Sequence, residues 1–474
     1  MTPKHIHLIG ICGTAMASLA GMLQQRGHRV TGSDAAAYPP MSDFLASLNI
    51  PVAQPFSEKN LEPRPDLVIV GNAISRGNVE LEYILDQRVP FESMARVVFD
   101  EFLAGKDRLV IAGTHGKTTT SSLLAWLLAE SQRAPSFLIG GIPENFGSSF
   151  ALGTGPEFVI EGDEYDTAFF DKGPKFLHYF PDAVILTSVE FDHADIYKDL
   201  DEVKTAFKRL VNLIPKRGLL LGWDGHPNVD ECLSRAFCRV ERYGFSANST
   251  WRITDIQCVD TATRWRVIRN GSPWAEFESH MAGEYNVLNA TAAAAMAANY
   301  GVPVETIASA LRSFRSVKRR LEVRAEIHGV TFIDDFAHHP TAIRETLKAL
   351  RTRYAGRRLW ALLEPRSNTL RRKVFEVELG ESLAGADQVV LAGIFKSDAI
   401  AASERLDPGS VIARLKAGGT PARLLSSVDE IVETISPELR EGDVVAILSN
   451  GGFGGIYEKL PAKLRALHEA STPA

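Results

Sequence analysis

The run Gly113-Thr114-His115-Gly116-Lys117-Thr118-Thr119-Thr120 constrains this chain more than any other stretch. It follows an apolar run, Leu109-Val110-Ile111-Ala112, that reads as a strand. It precedes residues 121–130, which read as a helix. A strand, a glycine-rich loop with Lys-Thr, and a helix are the parts of a loop that cradles nucleoside triphosphate. Glycines let the backbone approach the phosphates, and amides at the helix N-terminus point at the anion. In that arrangement Lys117 reaches the β- and γ-phosphates and the Thr118 hydroxyl sits on Mg²⁺. The spacing is not the usual one. A standard loop has its first glycine six residues before the lysine; Ile111 occupies that place, and Gly113 stands four residues before Lys117. A tight turn capping a helix would explain the glycines alone, but not the lysine, the threonine and both flanking elements together.

Such a loop belongs in an α/β fold, and strand and helix signals alternate along the whole chain. Three blocks are expected: residues 1–106, 107–320 and 321–474. The outer two read as Rossmann-like and the middle one as a mixed sheet of the phosphate-loop ATPase kind. In the first block a strand at residues 5–9 runs into Gly10-Ile11-Cys12-Gly13-Thr14-Ala15-Met16 and a helix to Gly27. A second strand ends in Ser33-Asp34, and a later one in Gly71-Asn72-Ala73. In the middle block, residues 250–278 alternate Trp and β-branched residues with polar ones, which predicts antiparallel hairpins. The third block has strands at residues 331–333, 358–363 and 444–448.

Composition narrows the function. The chain has 474 residues, 45% of them hydrophobic, enough for several cores, and a formal net charge of −6, which argues against a nucleic-acid binder. Cys12, Cys232, Cys238 and Cys258 form no C-x-x-C pair and no zinc spacing, as suits a reducing cytoplasm. No signal peptide and no membrane span are read; the alanine-rich residues 290–298 have Asn289 and Asn299 beside them and read as a soluble helix. A cytoplasmic protein is expected.

Charge collects at strand ends, where α/β sites lie. Glu161, Asp163, Glu164 and Asp166 are four carboxylates in six residues, a reasonable Mg²⁺ site, with a solvated acidic turn as the alternative. Glu190, Asp192, His193 and Asp195 end the next apolar run. With the phosphate loop they make a magnesium–ATP site that works by positioning and charge, without a covalent nucleophile. The first turn is a degraded dinucleotide fingerprint, with Gly10, Cys12 and Ala15 at its glycine positions. Its chemistry fits an NAD-type cofactor or another diphosphate such as a UDP-sugar, with Asp34 placed for a ribose hydroxyl. Arg320 stands at the boundary of the third block, and within that block Asp334-Asp335, Arg366 and the run Ser449-Asn450-Gly451 suggest one binding face, with Arg366 available for a carboxylate.

Taken together these residues resemble the Mur ligase family, the ATP-dependent amide-forming enzymes of peptidoglycan biosynthesis. The resemblance spans residues 10–455. It is carried by the phosphate loop, Glu161-Gly162-Asp163-Glu164, Glu190-Phe191-Asp192-His193, Gly283-Glu284-Tyr285-Asn286-Val287-Leu288-Asn289, Arg320, and Asp334-Asp335-Phe336-Ala337-His338-His339-Pro340. Within the family the chain is similar to the branch that contains UDP-N-acetylmuramate–L-alanine ligase. Gly32-Ser33-Asp34-Ala35 with Tyr38-Pro39-Pro40-Met41, residues 364–369 and residues 449–455 look closer to a peptide-joining member than to one taking free L-alanine.

The resemblance implies three domains that bind, in order, the UDP-sugar, ATP and the amine substrate. The lactoyl carboxylate takes the γ-phosphoryl group, and the α-amine of the murein tripeptide, L-alanyl-γ-D-glutamyl-meso-diaminopimelate, attacks the acyl phosphate. Free L-alanine is the alternative acceptor. By position, Gly113, Thr114, Gly116, Lys117, Thr118 and Thr119 hold ATP, with Asn289, Arg320 and Asp335, the last two arriving as the third domain closes. Thr118 and Glu161 ligate Mg²⁺, and His193 serves a second. Gly13, Thr14, Ser33, Asp34, Asn72 and Ala73 are placed for the UDP moiety, and His339, Arg366, Ser367, Asn368 and Asn450 for the tripeptide. The resemblance implies no nucleic-acid or membrane partner; a monomer or weak dimer is expected. The chain departs from the family at Ser188, usually Asn, at Tyr285, commonly His, and at Cys12, in place of Gly. Lys208 lies near where some members carry a carbamylated lysine, but its surroundings read as a surface helix.

Overall fold

Three parallel-rich sheets follow one another along the chain. They come from a computed structural model that describes residues 2–37, 41–259 and 261–471; Tyr38, Pro39 and Pro40 lie outside the described residues. The first sheet has the order Val52–Ala53, Arg29–Ser33, His5–Ile9, Leu67–Val70, Phe91–Ser93, all parallel. The chain leaves His5–Ile9 in one direction and returns on its other side, so the strand order reverses between His5–Ile9 and Leu67–Val70. The crevice at that reversal is where an open parallel sheet takes a ligand. Gly10 lies at its mouth with φ +81, a left-handed turn that feeds the helix Thr14–Gln25.

The middle sheet has ten strands. Its parallel centre runs Arg239–Gly244, Leu219–Trp223, Ala183–Leu186, Asp107–Ala112, Glu157–Gly162, Ser136–Leu138. Leu109, Val110, Ile111 and Ala112 are all buried, as a strand covered on both faces requires. Trp251–Val259, Ala262–Arg269 and Ser272–Ser279 extend it as the antiparallel hairpins that the alternation predicts. The helix after the phosphate loop is Lys117–Glu130, four residues longer at its start than the apolar pattern indicates. Gly116, at φ +82, turns the loop directly into the helix, so Lys117 is its first residue. The helix Glu284–Asn299 packs against it through Ala292 to Ala297, all buried; short side chains bring the two backbones close.

The third sheet runs Glu322–Ile327, Val330–Asp335, Val444–Leu448, Leu359–Leu363, Gln388–Ala392, Ala422–Leu425, parallel except for its first strand. Its faces bury two apolar clusters of their own. The first and middle sheets instead share one cluster, in which Leu19, Phe102, Phe158, Phe176 and Phe207 belong to a single core. Among the described residues no helix is long and apolar enough to cross a membrane, and all four cysteines are free. Lys208 lies on the helix Leu200–Asn212 and pairs with Glu231 at 2.5 Å.

Candidate active site

The phosphate loop is shaped by two glycines and held by the neighbouring strand end. A Cβ on Gly113 (φ +133) would stand 2.2 Å from Thr187 Oγ1, and one on Gly116 2.6 Å from Asn289 Oδ1. Only glycine fits either place. Thr114 N–H donates to Ser188 O at 3.0 Å and His115 N–H to Ser188 Oγ at 3.0 Å. Ser188, which departs from the family pattern, therefore clamps the loop through its hydroxyl. Thr118 and Thr119 sit in the first helical turn with their side chains buried.

Lys117 Nζ donates to Gly113 O and to Glu164 Oε2, each at 2.7 Å. Burial would lower the lysine, but Glu164 and Asp163 outweigh it and hold Lys117 above its ordinary value. Burial would likewise raise Glu164, yet Lys117 and His193 keep it ionised, near 2. Glu161 is the opposite case. Burial, with Asp163 beside it, raises its carboxyl to about 7, against the pull of Gly140 N–H and Lys117. Its Oε2 accepts from Thr118 Oγ1 at 3.2 Å, and Arg320 Nη2 approaches the same hydroxyl at 3.4 Å. A buried carboxylate short of positive charge, next to a hydroxyl oxygen, suits a hard divalent cation. His193 has φ +53, a left-handed backbone, and its Nε2 lies 3.5 Å from Glu164 Oε1. Burial would lower it, but Glu164 raises it to about 9, so a metal at this nitrogen must displace a proton. The same helix start is flanked by Lys175, 3.8 Å from Asp163 and 4.0 Å above the Tyr165 ring, a residue that no motif in the sequence marks.

Beside the loop a cleft of about 880 Å³ opens between the middle and third sheets. Asn286, Arg312, Arg315, Lys318, Arg320 and Arg353 line it. Asn289 donates to Asn286 Oδ1 at 3.3 Å. Asp335 does not face the cleft with free oxygens. It is buried and accepts from Leu321 N–H, Ala337 N–H and Thr346 Oγ1 at 2.8, 2.9 and 3.2 Å. Its effect is to fix the chain at Leu321 and so to aim Arg320.

At the first crevice, Gly10 N–H and Ile11 N–H donate to Ser33 O, and Cys12 N–H to Asp34 Oδ2 at 2.9 Å. Burial and Asp34 push the Cys12 thiol up to about 11, so it stays a thiol. Gly13 caps the helix at φ −66, Thr14 opens it, and Asn72 and Ala73 lie exposed across the crevice. Ser33, which the resemblance places for the UDP moiety, turns its hydroxyl inward. That group is fully buried and donates to Glu80, which also accepts from Asn60 at 2.7 Å. Ser33 shapes the turn through its carbonyl and its side chain cannot reach a ligand.

The third unit holds similar cases. His339 is 5% exposed; its Nδ1 accepts from Thr341 N–H at 3.2 Å and its Nε2 donates to Phe191 O at 3.2 Å. Both ring nitrogens are used in capping a helix and reaching the middle unit. Asn368 donates to Asp195 at 2.7 Å and accepts from Arg371 at 2.6 Å, and Ser367 Oγ accepts from Leu370 N–H at 3.1 Å. These three side chains are engaged within the protein, His339 buried and Asn368 exposed. Arg366 and Asn450 keep capacity for a substrate. The Arg366 guanidinium lies 3.7 Å above the Phe395 ring, and Glu364, 3.5 Å away, is its one ion-pair partner among the described residues. Gly451 makes room for it, since a Cβ there would stand 2.1 Å from Arg366 Nε. Asn450 Oδ1 is buried with no hydrogen-bond partner among the described residues.

Comparison with known proteins covers all three units. Residues 5–102 match the Mur ligase family catalytic domain, residues 111–297 the Mur ligase middle domain, and residues 319–451 the Mur ligase glutamate ligase domain. The chain is 41% identical over 467 residues to the UDP-N-acetylmuramate–L-alanyl-γ-D-glutamyl-meso-2,6-diaminoheptandioate ligase of Escherichia coli, covering 98% of this chain and 99% of that protein. It is 32% identical over 457 residues to the UDP-N-acetylmuramate–L-alanine ligase of Desulfitobacterium hafniense, covering 96% and 98%. Among solved structures it is similar to a murein peptide ligase from Psychrobacter arcticus, with a TM-score of 0.75, 36% identity, and 98% and 99% of the two chains covered. Loop, carboxylates, cleft and these full-length likenesses lead to one statement: the chain belongs to the Mur ligase family.

Proposed function

We propose that this protein is an ATP-dependent ligase that joins UDP-N-acetylmuramate to L-alanyl-γ-D-glutamyl-meso-diaminopimelate. The observation that carries this is the 41% identity to a ligase of that name over nearly all of both chains, against 32% for an L-alanine ligase. We assign residues 1–106 to the UDP-sugar, 107–320 to ATP and 321–474 to the peptide.

In this reading Lys117 faces the transferring phosphoryl group, and Glu164 keeps it charged. The lactoyl carboxylate attacks the γ-phosphorus and ADP leaves. The peptide's α-amine then attacks the acyl carbon, an amide forms and phosphate leaves. Charge stabilisation by fixed groups is the main help a protein gives such a transfer. Arg320, the last residue of the middle unit at its boundary with the third, brings a further positive charge. Thr118 and Glu161 would hold Mg²⁺, with His193 for a second ion, and the metal would neutralise phosphate charge. Arg366 would take a peptide carboxylate and Asn450 a peptide N–H. A reducing cytoplasm suits the four free thiols.

The test is phosphate release from ATP with UDP-N-acetylmuramate and the tripeptide, L-alanine or neither, with product masses recorded. Tripeptide-dependent release with a UDP-muramyl-tripeptide product is expected. Release with L-alanine alone would replace the acceptor, and no release with either would sink the substrate assignment.

A further inference from the structure

One side chain that the mechanism leaves aside touches several separate parts of the molecule. Glu190 follows the strand Ala183–Leu186. Its N–H donates to Thr114 Oγ1 at 2.8 Å, and its carbonyl accepts from that hydroxyl at 3.3 Å. Its Oε2 accepts from Thr341 Oγ1 at 2.7 Å and lies 3.4 Å from His115 Nε2. Its Oε1 lies 3.6 Å from His226 Nε2. Thr114 and His115 belong to the phosphate loop. Thr341 lies in the first turn of the helix Pro340–Arg353 of the third unit, whose N-terminal dipole favours a carboxylate in front of it.

The residues after Glu190 repeat the pattern. Phe191 O accepts from His339 at 3.2 Å, Asp192 from Thr369 Oγ1 at 2.6 Å, and Asp195 from Asn368 at 2.7 Å. Residues 190–195 are therefore a polar strip against which the third unit docks. The first and middle units share an apolar core, whereas this junction is mostly hydrogen bonds, which water replaces at modest net cost, with Phe375 of the third unit set against the Phe191 ring, centroids 6.3 Å apart. The ligand atoms of His115, Glu190 and His339 lie within 4.8 Å of one another, close enough for a metal. That reading fails at His339, because a neutral imidazole has one acceptor nitrogen and Thr341 N–H already occupies it.

We propose that Glu190 is a positioning residue that couples docking of the third unit to the shape of the phosphate loop. When the third unit docks, Thr341 closes on the carboxylate, and Glu190 holds Thr114 and His115 in the geometry that receives ATP. This rests on the ligase reading, since it needs an ATP site completed by the amine-binding unit.

The test uses the full chain and the variants Thr341→Val, Thr341→Ser, Glu190→Gln and the Thr341→Val/Glu190→Gln pair. Affinity for a non-hydrolysable ATP analogue and tripeptide-dependent kcat are both measured. A lost hydrogen bond to a charged group predicts about a tenfold fall in each for Thr341→Val and for Glu190→Gln. Thr341→Ser retains both, the pair falls no further than Glu190→Gln alone, and KM for UDP-N-acetylmuramate stays unchanged throughout. Wild-type values in Thr341→Val, or losses that multiply in the pair, would overturn the coupling. A general loss of stability would also raise that KM and would count against it. Stoichiometric Zn²⁺ uptake abolished by Glu190→Gln would make the cluster a metal centre instead. If the wild type shows no tripeptide-dependent turnover, the ligase reading fails, while analogue affinity still decides the coupling.

Discussion

Two junctions of this chain, the turn at residues 10–14 and the phosphate loop at residues 113–117, share a backbone plan. In each a buried parallel strand ends in glycine at positive φ and hands over to a helix whose amides face a crevice. They differ in what stands around the turn. The first is held by main-chain bonds to Ser33 O and by the Asp34 carboxylate, and its helix opens with Thr14. The second opens with a half-buried lysine set among Glu161, Asp163 and Glu164. The shared backbone can bind a phosphorylated ligand at either place. Only the second has the dense buried charge that stabilises a phosphoryl group in transfer. In the proposed reading the same local device is a binding turn at one place and a chemical site at the other, according to its side chains.

The largest break in this contrast is Lys117→Ala. Turnover should fall by about a thousandfold or more, with the fold intact by circular dichroism and UDP-sugar affinity unchanged. A paired glycine test comes next. Gly116→Ala and Gly10→Ala impose the same left-handed penalty, about 1–2 kcal/mol each. At Gly116 the new Cβ also meets Asn289 Oδ1 at 2.6 Å, whereas at Gly10 it makes ordinary contact with Ile74 at 3.4 Å. ATP affinity should therefore fall about a hundredfold in the first and UDP-sugar affinity by about tenfold or less in the second. Equal losses would mean that the two turns are alike in more than backbone.

Asp34→Ala tests the binding turn directly: KM for the UDP-sugar should rise about tenfold with kcat unchanged. A fall in kcat instead would place the first crevice in the chemistry. The smallest effect concerns pH at the edge of the phosphate loop. Burial, with His115 beside it and against Asp192 and Glu190, lowers His339 to about 4 from 6.5. A base whose folded value is depressed contributes stability above its unfolded value, and that stability is lost as pH falls from 6.5 toward 4. By pH 6 the loss is about 1 kcal/mol. Thermal unfolding at pH 7.5 and 6 should show it, and His339→Asn, which keeps a helix cap, should remove that difference. An unchanged step in the variant would assign it to other groups.

The layout of this site was legible because its signals are local. Glycines, a lysine after them and an apolar run before them mark the phosphate loop without any tertiary information. Alternation over residues 250–278 similarly announced the hairpins, because a period of two matches the pleat of a half-buried strand and not the turn of a helix. Side-chain direction was not legible. Ser33 and His339 both turn inward, Ser33 to Glu80 and His339 to Phe191. Nothing in their neighbours along the chain reports that. Glu164 lay inside a recognised acidic run, but the turn after Gly162 breaks the strand's alternation, so sequence could not tell which carboxylate meets Lys117.

The sequence by itself determined the α/β class, the order of strands and turns, the phosphate loop and the family resemblance. These rest on backbone preferences and on apolar periodicity, which act over a few residues. Only the tertiary structure decided that Lys117 meets Glu164, that Ser188 clamps the loop, and that Glu190 is shared between the loop and the third unit. Those contacts join residues tens to more than a hundred positions apart. Their energies depend on burial and on which polar groups converge at one point, and neither exists until the sheets have packed.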